Sequence, residues 1–149
     1  MDLAIEAWHL DIGPRVTGMV VDEDDCLIGY ITERVRTVDE IIEDIMGHCV
    51  ITMGTLTKGT DEMEALTSWM YSLEESPEDA IYSYDTVEAL LCADVKHYVE
   101  ELEQIDRAHP TFCDAGVRDL HMWNMGILDG AVVVIDHGPM SMGHFTISY

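Results

Sequence analysis

Asp129-Gly130 is the sharpest local instruction in the chain. A type I′ turn needs positive φ at both central positions, and an Asp-Gly pair adopts that geometry at little cost. The pair sits between Met125-Gly126-Ile127-Leu128 and Ala131-Val132-Val133-Val134-Ile135, two short apolar runs. A two-residue β-hairpin follows. Pairing outward from the turn sets Leu128 opposite Ala131, Ile127 opposite Val132, Asn124 opposite Ile135 and Trp123 opposite Asp136. Cross-strand neighbours lie about 5 Å apart, so this register brings Asn124 beside Asp136. With Asp119 on the loop just before the first strand, an amide and two carboxylates can converge on one hard cation, and oxygen ligands of this kind suit magnesium.

Charge narrows the partners. Thirty acidic residues against seven Lys and Arg give a net charge of −23, which argues against nucleic-acid phosphate or anionic lipid as a direct partner. Basic protein surfaces are the natural targets instead. Clusters at 22–25, 40–44, 74–79 and 100–106 carry much of that charge. Cys26, Cys49, Cys92 and Cys113 form no C-x-x-C pair and have no nearby histidine pattern, so no zinc site is expected. The spacing of His121, Asp136, His137 and His144 likewise fits no hydrolase ligand set. An acidic start at Met1-Asp2 and the lack of an apolar run of membrane length lead us to expect reduced cysteines, no membrane association and a cytoplasmic protein.

Along the chain, 16–21 and 26–33 read as two strands joined by the acidic turn 22–25. Thr37-x-x-Glu40 is a capping box ahead of Val38, Ile41, Ile42, Ile45 and Met46, so a helix is expected over 38–46 with Gly47 as its stop. Residues 48–58 fit a short strand or a loop equally well. Thr60 or Asp61 opens a second helix with Met63, Leu66, Met70 and Leu73 in one buried stripe and Trp69 in the core. Ser76-Pro77 starts a short third helix with proline in the first turn. Asp85-x-x-Glu88 then caps the longest helix, in which Val87, Leu91, Val95, Tyr98, Leu102 and Ile105 recur at helical steps until His109-Pro110 ends it. At 149 residues, with no repeat and no linker, the expectation is a single α+β domain with its own core.

Asp119-Leu120-His121-x-x-Asn124, followed by the hairpin and Asp136-His137-Gly138, resembles the catalytic loop and metal-binding segment of protein-kinase-like phosphotransferases. Arg118-Asp119 matches the end of H-R-D. The Asp-Leu-His form of the loop is most similar to the early-gene protein kinase of short-tailed lytic phages and to aminoglycoside-type kinases. The resemblance implies a truncated kinase-like fold: a mostly helical lower lobe with two β-hairpins, lacking the glycine-rich upper lobe. It divides the chain into a hairpin and hinge-like segment over 16–36, a helical region over 37–110, and a catalytic-loop-like segment and hairpin over 111–138. It further implies ATP and Mg as cofactors. Asp119 would orient the accepting hydroxyl, with Arg118 and His121 beside it, while Asn124 and Asp136 hold the metal on the phosphates. Backbone groups of the hinge-like segment, at Glu33 and Val35, would pair with adenine.

The kinase pattern is incomplete. There is no G-x-G-x-x-G, and the two lysines, Lys58 and Lys96, both follow the hinge-like segment. Two functions are therefore expected to compete. One is a phage-type serine/threonine-kinase-like protein acting on host proteins with weak or lost phosphotransfer. The other is a non-enzymatic acidic inhibitor that mimics nucleic acid and occupies the basic channel of a host nucleic-acid-processing or defence enzyme. A lobe without its upper half also leaves apolar surface uncovered, which favours a homodimer or a host-protein complex.

Overall fold

The computed structural model describes residues 13–135 apart from 15, 115 and 117–119. The architecture is α+β, mostly helical with two small antiparallel sheets. The chain divides into two compact units, one formed by residues up to 37 together with those from 107 onward, the other by 38–106.

The first unit holds both sheets. Strands β1 (Val16–Val21) and β2 (Leu27–Thr32) form the expected hairpin, with Met19 opposite Tyr30 and register shifts near each end. Its acidic turn is closed by its own chemistry: Asp22 Oδ1 accepts from the backbone N–H groups of Asp24 at 2.8 Å and Cys26 at 2.9 Å, and Asp25 takes a φ of 61°. Short aspartate side chains tolerate that left-handed conformation and satisfy turn amides.

Strand β3 (Arg36–Thr37) pairs with β4 (Met125–Leu128), which pairs with β5 (Ala131–Val134). β3 joins two segments about ninety positions apart, with Thr37 opposite Gly126. Glycine is required there, because a Cβ at 126 would collide with Val35 Cγ1 and lie 2.8 Å from the carbonyl oxygen of Arg36. Val35, Val133 and Ile135 form a buried cluster with Leu128 packed against it.

The second unit is helical. Helix α1 (Val38–Met53) buries Val38, Ile41, Ile42, Ile45 and Cys49, steps of three and four that make one stripe. It runs through Gly47 and past the expected stop. Glycine inside a helix costs about 1 kcal/mol, and burying Cys49, two residues on and one turn after Ile45, offsets it. The stretch 48–53 is thus the last turns of α1, with Val50 and Ile51 on its exposed face.

Helix α2 (Asp61–Glu75) starts as expected, with Thr60 as N-cap and its Oγ1 accepting from Met63 N at 3.4 Å. Leu66, Trp69 and Leu73 are its buried stripe, with Met63 and Met70 half-buried. Helix α3 (Pro77–Ser83) has proline in its first turn. Trp69 Nε1 donates to the carbonyl of Ala80 at 2.8 Å and ties the two helices together.

The longest helix differs from the sequence reading at both ends. Two 3₁₀ turns (Tyr84–Thr86 and Glu88–Leu90) precede it, and α4 begins only at Ala93. Those turns leave Val87 fully buried and set the Tyr84 ring 5.8 Å from Trp69. α4 (Ala93–Asp114) then continues past Pro110 by a full turn. Its core residues are Val95, Val99, Leu102 and Ile105, so Val99 occupies the stripe position assigned above to Tyr98. Among the described residues no helix is long and apolar enough to cross a membrane.

Candidate functional site

The turn at Asp129-Gly130 has the predicted backbone, with φ of 50° and 82°. The register is the predicted one as well: Leu128 faces Ala131, Ile127 faces Val132 and Met125 faces Val134. Pairing continues one step further, since Ile135 N donates to the carbonyl of Asn124 at 2.7 Å. Asn124 ends a 3₁₀ turn (Met122–Asn124) whose closing bond runs from Asn124 N to the carbonyl of His121 at 2.9 Å.

Asn124 is 2 % exposed. Its side-chain Oδ1 is buried and has no hydrogen-bond partner among the described residues. An orphaned acceptor in a dry site costs about 1–3 kcal/mol, so a side chain kept there is poised for a donor or a cation. A neutral amide oxygen is a hard ligand of the kind magnesium takes, though it serves as one ligand among several. The remaining oxygens would come from Asp119 and Asp136. These two residues and Arg118 lie outside the described residues.

The other expected positions fall as follows. His121 is exposed, and its carbonyl accepts from Asn124 N in the loop. Glu33 is exposed on the segment between β2 and β3, with its carbonyl accepting from Thr32 Oγ1 at 3.2 Å. Val35 points its side chain into the core against Gly126. Glu33, Val35, His121 and Asn124 all belong to the first unit.

Two features escaped the sequence reading. His109 Nε2 donates to the carbonyl of Leu120 at 2.7 Å, which pins the start of the loop carrying Asn124 to the last turns of α4. A histidine before a proline near a helix end gives no hint of that role. In the second unit, His48, Cys92 and Asp94 place their ligand atoms within 4.8 Å of one another. His48 and Cys92 are 44 positions apart in sequence, and no local periodicity links them. Next to this group, burial and then the charge of Cys92 push the Cys49 thiol up to about 11. Tyr84 is also raised, first by burial and then by Glu88, Cys92 and Glu100.

No protein-family model, no curated protein and no solved structure matches the chain.

Proposed function

We propose that this chain is a kinase-like protein of phage type that binds ATP and magnesium at Asp119, Asn124 and Asp136 and acts on a host protein, with phosphotransfer weak or lost. The observation that carries the reading is the buried Oδ1 of Asn124 at the foot of the hairpin, which has no partner among the described residues. Magnesium, when bound, neutralises charge on the phosphates and holds them in line for transfer. Asn124 and Asp136 would hold the ion, Asp119 would accept the proton of the attacking hydroxyl, and His109 positions the loop by its bond to Leu120. Weak chemistry follows from the sequence, which has neither a glycine-rich loop nor a lysine ahead of the hinge-like segment. Removing one such electrostatic contact costs about 3–4 kcal/mol of barrier.

The test is thermal unfolding with ATP. Magnesium-dependent stabilisation by ATP is expected, reaching about 2.7 kcal/mol when ligand is a hundredfold above its dissociation constant. It should vanish with EDTA and in Asp136→Ala. Unchanged unfolding at millimolar ATP and magnesium would remove the reading.

The acidic exterior favours a second reading, an inhibitor that docks on a basic channel of a host enzyme. Asp22, Glu23, Asp24 and Asp25 are four consecutive exposed acids, and Asp61, Glu62 and Glu64 add three more on the first turn of α2. Screening shortens the reach of exposed charge to about 8 Å at physiological salt. Affinity for the host enzyme should therefore fall steeply from low to moderate salt, and a complex indifferent to salt would sink this reading.

A further inference from the structure

We propose that His48, Cys92 and Asp94 form a binding site for a borderline divalent transition metal, zinc in its ordinary four-coordinate form, that clamps α1 to the start of α4. The site belongs to the second unit and shares no residue with the corner around Asn124. His48 lies in the third turn of α1, while Cys92 immediately precedes α4 and Asp94 is in its first turn.

Three observations support it. The first is distance. Tetrahedral bonds of about 2.0–2.3 Å put neighbouring ligand atoms about 3.5 Å apart, and Cys92 Sγ stands 3.5 Å from His48 Nδ1. The Asp94 carboxylate lies within 4.8 Å of both, so a rotamer adjustment closes the set. The second is ligand type. An imidazole nitrogen, a thiolate and a single carboxylate select zinc, cobalt or their neighbours, whereas magnesium and calcium require oxygen throughout. The third is position. Cys92 directly precedes the first residue of α4 and Asp94 lies in its first turn, so one short rigid segment presents two of the three ligands toward His48. The Tyr98 ring, 5.8 Å from that of His48, packs beside the imidazole.

Cys92 and Asp94 are exposed and His48 half-buried, so an ion reaches the group directly from solvent. Three protein ligands leave the fourth position for water. Binding releases to solvent the proton shared between Cys92 Sγ and His48 Nδ1, and two bonds to the metal replace the hydrogen bond between them.

Cobalt(II) is the probe, added to the full metal-free chain under reducing conditions with millimolar magnesium present to occupy the many surface carboxylates. One equivalent should bind with the intense near-ultraviolet thiolate-to-cobalt charge-transfer band and tetrahedral visible bands. Zinc should displace it and raise the melting temperature, reversibly with a chelator. Cys92→Ser should abolish the band, and His48→Gln and Asp94→Asn should each weaken binding about tenfold or more, with helical circular dichroism unchanged. His109 and Cys113, whose ring nitrogen and sulfur approach to 3.7 Å, are the internal control. Cys113→Ser should leave the spectrum intact. A missing charge-transfer band, a band that survives in Cys92→Ser, or one lost in Cys113→Ser instead, would overturn the assignment.

Discussion

Ile135 donates its backbone N–H to the carbonyl of Asn124 at 2.7 Å, one pair beyond the Met125–Val134 pair at the open end of the β4–β5 ladder. The bond sets the backbone of Asn124 in the ladder while its side-chain oxygen stays buried and unmatched. Stability and ligand binding should therefore separate at this residue. Asn124→Leu removes an unsatisfied acceptor for a similar volume, and such replacements are close to neutral or stabilising. We expect an unfolding free energy from urea titration within about 1 kcal/mol of the parent or above it, together with complete loss of magnesium-dependent ATP stabilisation. A large destabilisation would show that Oδ1 has a structural partner.

Gly126 should tolerate no side chain. The Cβ of Gly126→Ala would meet Val35 Cγ1 and the Arg36 carbonyl, and backbone cannot yield as a flexible side chain can. Overpacking of this kind costs about 1–3 kcal/mol. Equilibrium urea unfolding should show that loss, whereas Gly47→Ala, where an added Cβ meets nothing within 4 Å, should gain up to about 1 kcal/mol from helix propensity.

Trp69→Phe should keep most of the apolar packing yet lose the donor to the Ala80 carbonyl. Ala80 is fully buried, so its oxygen gains no water in exchange. A loss of about 1–3 kcal/mol is expected, read by far-ultraviolet circular dichroism in urea. A loss below a few tenths of a kcal/mol would show that the carbonyl finds another donor.

Cys49 should make stability fall at high pH. Its thiol is raised from 9.0 to about 11 in the folded chain, by burial first. The neutral form is thus favoured by folding. That contribution is complete below pH 9 and is lost as pH rises from about 9 to about 11. It is at most about 2.7 kcal/mol, at 1.36 kcal/mol per unit. Comparing the pH dependence of unfolding for the parent and Cys49→Ala isolates it, because tyrosines and lysines titrate alike in both. Equal slopes for the two chains would contradict the assignment. Cys49 should also resist alkylation at neutral pH while the exposed Cys26 reacts.

Much of the fold was legible from residues close together in sequence. Asp129-Gly130 determined its turn, and the turn determined a register that places Asn124 opposite Ile135, because two-residue loops leave no freedom of alignment. Thr60 and Pro77 marked helix starts for equally local reasons, a hydroxyl within reach of Met63 N and a missing amide where none is needed. The boundaries that failed were those where a weak local signal met a strong distant one. Gly47 reads as a stop, yet burial of Cys49 carries α1 onward. Pro110 reads as an end, yet α4 continues for a turn beyond it.

The sequence by itself determined the hairpin, the helix count in the described region other than the 3₁₀ turns, and the acidic exterior, since each depends on periods of two to four residues or on composition. Only the tertiary structure decided that β3 lies against Gly126, that His109 holds Leu120, that Asn124 keeps an unpartnered buried oxygen, and that His48 meets Cys92 and Asp94. The contacts of β3, His109 and His48 join residues eleven to about ninety positions apart. Such meetings are set by how packed elements share volume, and no local pattern of residues encodes them.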